Sequence, residues 1–304
     1  MSDIKLFQIS DNKVFPIEGQ SVAIEKSLQT LLENHLEAFL GVRLVKSEHA
    51  TGKTHGGRID TLGIDENNSP VIIEYKRSLN ENVINQGLYY LDWLLDHKAE
   101  FVLLAQKVGR KLTEDDIDWG GARLLCIAGE FTKFDEHAVK QINRNIELIR
   151  YRRYGNELLL LELVNASTGF AEEPIVGGSK SAAMHTESTV TEKLAKASTE
   201  VKDRFESLKA FAQALGDDVQ VKTLKLYVAF KRIKNFASVE IHPQDKNIIV
   251  FVKADFEHTY LEEGFTRDVR KIGHFGTGDL EITIRSEEDL ERAKPLIVKS
   301  YENN

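Results

Sequence analysis

The chain has 304 residues, a formal net charge of −8, 41% hydrophobic and 29% charged residues, and one cysteine, Cys126. That length exceeds what one compact core usually holds, so two domains are expected. No apolar run reaches a membrane span (LLLLELV at 158–164 is short and broken by Glu162), the opening MSDIKLFQIS lacks a signal-peptide pattern, and a lone thiol makes no internal disulfide, which together favour a cytoplasmic, reducing setting and no membrane partner.

Residues 20–40 place Ile24, Leu28, Leu31, Leu32, Leu36 and Phe39 at helical spacing, with Gly41 as a stop. RLVKSEHATGKTHGG (43–57) reads as a strand running into a glycine-rich polar loop that contains Lys53 and His55. RIDTLGID (58–65) and VIIEYK (71–76) read as strands joined by turn residues 66–70. Ser78 and Glu81 have capping-box spacing and open a helix with Ile84, Gly87, Leu88, Leu91 and Leu95 on one face. FVLLA (101–105) and RLLCIA (123–128) are continuous apolar runs, as strands covered on both faces tend to be. A helix around 135–149 and a strand near 157–164 complete a first domain, 1–165, of α/β class: a mixed sheet flanked by helices. Small and polar residues mark 166–196 as a flexible linker. Beyond it, helices over 198–215 and 221–232, strands ASVEIH (237–242), NIIVFVK (247–253) and LEITIR (280–285), and a helix starting at Ser286 give a smaller α+β domain, 197–304.

The chemistry gathers in the first domain. Glu74 and Lys76 stand two residues apart on a strand, so they share a face roughly 7 Å apart, with Tyr75 pointing the other way. If 58–65 and 71–76 pair through their short turn, Asp60 falls beside Glu74. Two carboxylates and an ammonium at the end of an otherwise apolar hairpin need compensation, because burying such charges alone is costly. A divalent cation supplies it. Mg2+, or Mn2+, takes oxygen ligands and keeps several waters, so Asp60 and Glu74 suffice to seat it against a phosphate. The ion then acidifies a bound water, while Lys76 steadies that water or the developing charge.

The ordered set Gly-Gly-Arg-Ile-Asp at 56–60, Ile-Glu-Tyr-Lys at 73–76 and Gln86-x-x-x-Tyr90 resembles the PD-(D/E)XK nuclease superfamily, particularly its RecB-like and NucS-like endonucleases, over roughly residues 20–165. The resemblance implies a restriction-endonuclease-like fold and matches the family's catalytic acids to Asp60 and Glu74, its lysine to Lys76 and its helical Gln-x-x-x-Tyr motif to Gln86 and Tyr90. It also implies a glutamate from the first helix as a further metal or water ligand, matched by Glu33, with Glu37 one turn on. The proline that usually precedes the first Asp is absent.

Candidate DNA contacts are Arg58, beside the site, and Arg150, Arg152 and Arg153 in LIRYRRYGN, the densest basic cluster, with Tyr151 and Tyr154 interleaved. Trp93 and His97 continue the line of Gln86 and Tyr90, where an aromatic is usually core. The second domain, through LYVAFKRIKNFASVEI, FTRDVRKIGHFGTGDLEI and the closing KSYEN, resembles a bacterial domain family of unsettled function sometimes labelled a predicted transport protein. Its Arg267, Asp268, Arg270, Lys271 and His274 gather beside Gly276 and Gly278. The expectation is a Mg2+-dependent endodeoxyribonuclease serving DNA repair or defence against foreign DNA, with the second domain recognising a target or protein partner. A homodimer is expected because cutting both strands takes two sites. The alternative is a non-catalytic nucleic-acid-binding or regulatory protein that keeps the nuclease fold, which the net acidity favours; a nuclease acting on RNA would share the site chemistry.

Overall fold

The computed structural model describes residues 4–20, 26–52, 56–76, 83–109, 111–155, 157–167, 188–257, 259 and 261–304, excluding the side chains of Gln20, Ser27 and Lys76. Lys53, His55, the Ser78–Glu81 cap and the centre of the expected linker lie outside the described residues. The chain divides into two compact units, Met1–Glu173 and Pro174–Asn304.

The first unit is mixed α/β. A hairpin of β1 (Leu6–Ser10) and β2 (Lys13–Ile17) forms a two-stranded sheet of its own, closed by Asp11 and Asn12 with left-handed φ of 50° and 61°. The main sheet has seven strands. β4 (Val42–Ala50), β5 (Arg58–Asp65) and β6 (Pro70–Lys76) run antiparallel. β7 (Arg123–Ala128) and β8 (Asn145–Tyr154) continue parallel to β6, and β3 (Gly19–Gln20) and β9 (Leu158–Ser167) pair antiparallel with β8. Of the helix expected over 20–40, residues 21–25 with Ile24 lie outside the described residues, and the rest forms α1 (Lys26–Asn34) and α2 (Leu36–Leu40), interrupted at His35 and closed by Gly41 at φ 63°, which a Cβ would strain.

Helix α3 (Val83–Asp96) lays Ile84, Leu91, Trp93 and Leu94 against Leu62, Ile64, Ile72, Leu124 and Cys126 on one sheet face. FVLLA is not a strand but part of α4 (Lys98–Lys107): Phe101, Val102 and Ala105 are buried while Leu103 is 58% exposed, a helical alternation. α5 (Lys133–Gln141) opens on a reciprocal Thr132–Asp135 capping box and stops well before residue 149, because 145–154 are needed as β8.

The second unit is a six-stranded antiparallel sheet, ordered β10 (Gln220–Thr223), β11 (Val228–Lys231), β12 (Asn235–His242), β13 (Asn247–Val252), β15 (Leu280–Ile284), β14 (Thr266–Asp268). α6 (Val190–Lys196), α7 (Thr199–Gln213) and α8 (Glu287–Glu302) accompany it, and Phe205, Leu208, Val239, Ile241, Val250, Ile282 and Ile297 lie in its core. The expected helix over 221–232 is the β10–β11 hairpin instead, and α6 lies inside the expected linker, opened by a Thr189–Glu192 capping box. Among the described residues no helix is long and apolar enough to cross a membrane.

One packing detail sets a pH dependence. His49 on β4 is 9% exposed and lies against Trp93, ring centroids 5.0 Å apart. Burial lowers its pKa below 6.5; Glu100 opposes that and Lys46 adds to it. The unfolded chain therefore takes up this proton at a higher pH than the folded one, so the first unit loses stability as pH falls below 6.5. Both tryptophans, Trp93 and Trp119, belong to this unit. The urea midpoint read by their fluorescence is expected to drop between about pH 7.5 and about pH 5.5, and to drop less in His49→Gln.

Candidate active site

The β5–β6 turn fixes the register that the site depends on. Asp65 Oδ1 accepts from Asn67 N and Ser69 N, each at 2.8 Å, while Asn68 takes the left-handed φ of 58°. The ladder then runs from Ile64↔Pro70 to Thr61↔Ile73, which leaves Asp60 and Glu74 facing each other one step beyond its last pair. There the side chains continue the pairing. Asp60 N donates to Glu74 Oε1 at 3.1 Å, and Tyr75 N donates to Asp60 Oδ2 at 3.2 Å.

Glu74 pairs in parallel register with Cys126, and so stands with Ile72 on the face that α3 covers. It is 1% exposed, while Asp60 is half-buried and gives the pair its approach from solvent. Lys76 closes β6 on the same alternation as Glu74; its side chain lies outside the described residues. Asp60 also sits at a change of face. Ser47 and Thr61 point to α1, whereas His49 and Ile59 join the α3 core, with Glu48 between them at φ 48°.

Gln86 and Tyr90 come together as their one-turn spacing suggests: Gln86 Nε2 donates to the Tyr90 hydroxyl at 3.2 Å. The same hydroxyl accepts from Arg58 N at 3.1 Å, tying α3 to β5 two residues before Asp60. Gly57 permits this approach, since a Cβ there would lie 2.5 Å from Tyr90 Cε1.

Glu33 is held on the sheet face opposite Glu74. It stands on the Thr61 side of the sheet, where Ser47, Thr61 and Gln29 donate to its carboxylate. Glu37 pairs with Arg43 at 2.9 Å on the surface. Tyr75, 4% exposed, lies on Glu33's side of the sheet, and burial, reinforced by Glu33, Asp60 and Glu74, pushes its phenol up against the lowering effect of Thr61. Sequence reasoning passed over Gln29, Ser47 and Thr61. The available signal was strand alternation, which sends Thr61 and Tyr75 to the face opposite the acids they follow.

The arginines are largely engaged within the protein. Arg150 is buried against Glu162 at 2.7 Å and Glu130 at 3.6 Å, and Arg152 meets Glu130 at 2.9 Å. Burial alone would weaken the Arg150 cation, but Glu162 and Glu130 raise its pKa overall. Arg153, on the opposite face of β8, is exposed, and Arg58 is exposed beside Glu48 at 3.0 Å. Tyr151, Tyr154 and Trp93 are core residues, Trp93 stacking on His97 at 4.9 Å. In the second unit Arg267 pairs with Glu281 at 2.5 Å and Arg270 with Asp268 at 2.7 Å. His274 stacks on Phe251 at 4.2 Å, while Phe275 N and Thr277 N donate to Glu240 and Ser238, so the glycine-rich segment lies flat on β12 and β13.

The donor set suits a hard, hydrated cation: two carboxylates, each with one oxygen held by a strand N–H. Among the described residues no group of three or more His, Cys, Asp or Glu that could hold a metal occurs. Asp60 and Glu74 are the residues that would hold an ion here, and Mg2+ commonly keeps several waters beside one or two carboxylates.

Residues 190–304 match the profile of a domain of unknown function, DUF5655. A Haemophilus influenzae protein described as an uncharacterized protein is 29% identical over 307 residues, which span 99% of this chain and 100% of that protein. No solved structure matches the chain.

Proposed function

We propose that the first unit is a Mg2+- or Mn2+-dependent endonuclease of PD-(D/E)XK type, hydrolysing phosphodiester bonds in DNA. The observation that carries this reading is the reciprocal pairing of Asp60 and Glu74, each carboxylate bound to the other strand's backbone at the end of the β5–β6 ladder. Two acids preorganised in this way meet the cost of their proximity before any substrate arrives. Asp60 and Glu74 would hold the ion, which acidifies a bound water and polarises the phosphoryl group. Tyr90 and Gln86 brace the start of β5 through Arg58 N. Lys76, two residues beyond Glu74 on β6, is assigned to the attacking water or the developing charge. Arg58 and Arg153, exposed in unit 1, are assigned to the DNA backbone, and Arg152 is half-buried against Glu130. The second unit is assigned target or partner recognition, and the working form a cytoplasmic homodimer in DNA repair or defence.

The test is cleavage of plasmid, branched, mismatched, single-stranded and modified DNA, with RNA in parallel, by the purified full-length protein with Mg2+, Mn2+ or EDTA. Metal-dependent cutting lost in Asp60→Ala, Glu74→Ala and Lys76→Ala is expected; cutting that survives all three changes refutes the assignment. A second reading, a non-catalytic nucleic-acid-binding or regulatory protein, draws on the 1% exposure of Glu74 and the internal pairing of Arg150 and Arg152. Calorimetric titration separates the two, since that protein should show no metal binding that depends on Asp60 and Glu74.

A further inference from the structure

Glu33 does something the proposed hydrolysis leaves unassigned. Its Oε1 accepts from Thr61 Oγ1 at 2.5 Å, Ser47 Oγ at 2.9 Å and Gln29 Nε2 at 3.2 Å, and its Oε2 accepts from Ser47 Oγ at 3.0 Å. Thr61 is fully buried, Gln29 and Tyr75 are each 4% exposed, and Thr61 Oγ1 lies 3.4 Å from the Tyr75 hydroxyl. Thr61 directly follows Asp60, and Tyr75 directly follows Glu74. Each acid thus has a neighbour that turns to the opposite sheet face and enters one buried cluster centred on a single carboxylate. Tyr75 joins both faces, because its backbone N–H holds Asp60 Oδ2.

We infer that Glu33 is a positioning residue and not a metal ligand: through Thr61 and Tyr75 it holds β5 and β6 at the spacing where the Asp60 and Glu74 carboxylates each accept from a backbone N–H of the other strand. Three observations carry this. The Glu33 carboxylate already accepts from three buried or half-buried donors, Thr61, Gln29 and Ser47, whose one hydroxyl hydrogen lies within reach of both oxygens, and reaching a cation would mean giving them up. The sheet itself stands between Glu33 and the α3 face on which Glu74 lies. Tyr75 bridges the two faces, its hydroxyl lying 3.4 Å from Thr61 Oγ1 in the Glu33 cluster while its backbone N–H donates to Asp60 Oδ2 at 3.2 Å. Supporting groups of this kind set the geometry of a catalytic pair without touching substrate.

This rests on the nuclease reading, and its test uses full-length protein with three measurements: Mn2+ affinity by calorimetry, cleavage kinetics, and backbone amide NMR of metal-free protein. Glu33→Gln is expected to leave the Mn2+ Kd within about twofold of wild type while lowering kcat about 10- to 100-fold. The kcat loss is expected to be non-additive with that of Thr61→Val, as for residues of one network. The Asp60 and Tyr75 amides, which donate to the acids, are expected to shift in metal-free Glu33→Gln. A Kd rising about tenfold or more, as in Asp60→Ala, makes Glu33 a ligand and overturns the inference; so does an unchanged kcat with only a lower melting temperature. If wild type neither binds metal nor cuts, it is the nuclease reading that fails. The amides then decide alone: shifts at both Asp60 and Tyr75 uphold the clamp, and shifts confined to α1 and β4 overturn it.

Discussion

Glu74→Gln is expected to lower metal-dependent cleavage by roughly 1000-fold or more, equivalent to about 4 kcal/mol of lost transition-state stabilisation, while leaving the fold intact. Glutamine has the shape of glutamate and retains an Oε1 that accepts from Asp60 N, so the strand contact at the end of the ladder survives. What it removes is one of the two negative charges that would hold the cation. Because Glu74 is 1% exposed, an alanine there would also leave a cavity and an unmatched N–H, and lost activity would then mix chemistry with folding. The isosteric change separates them. Initial cleavage rates beside a thermal melt make the measurement: a rate within tenfold of wild type, in protein that melts normally, would sink the role given to this carboxylate.

The site was legible in the sequence to the extent that its residues are placed by local rules. Strand alternation and a short turn suffice to put Asp60 beside Glu74, because the hairpin register follows from the turn that Asp65 and Asn68 build. One-turn spacing likewise suffices for Gln86 and Tyr90. Glu33 was legible only through the family resemblance, as a ligand from the first helix, and the sheet face it would join was not. That depends on how α1 crosses β4 and β5, which no local pattern specifies. The same limit applies to the basic cluster: Arg150 and Arg152 look like a nucleic-acid surface until Glu130 and Glu162, 20 and 12 residues away, fold against them.

Errors in the elements have a related origin. FVLLA is apolar at every position, so its periodicity cannot separate a buried strand from a buried helix turn; ten residues of α4 on a well-covered face settle it. Residues 221–232 carry apolar side chains near helical spacing, yet Tyr227, Val228 and Phe230 favour the pleated sheet, and pairing with β12 decides the outcome. α6 could have been found, since Thr189 and Glu192 form the capping signature within a stretch otherwise read as linker.

The largest stability effect is expected away from the acids. Arg123, at the start of β7, reaches Asp65 through Nη1 and lies 3.3 Å through Nε from Glu147 Oε1, and all three side chains are 5% exposed. Burial works against this cation, yet the two carboxylates raise its pKa overall. Arg123→Met keeps much of the volume but removes the cation that faces two buried carboxylates, a loss of about 3–5 kcal/mol in a domain whose total stability is of order 5–15 kcal/mol. In calorimetry the transition of the first unit should fall by about 6–20 °C. The transition of the second unit should hold its place, because none of the three residues belongs to it. Cleavage should weaken as well, because Asp65 is also the residue that closes the β5–β6 turn and so sets the spacing of Asp60 and Glu74. Adding Asp65→Asn to Arg123→Met removes one of the buried negative charges that Arg123 faced while keeping an oxygen for the Asn67 and Ser69 N–H groups, and should restore part of the lost melting temperature. A double variant that melts no higher than Arg123→Met alone would show that the loss lies in packing around the methionine and not in the loss of the facing cation.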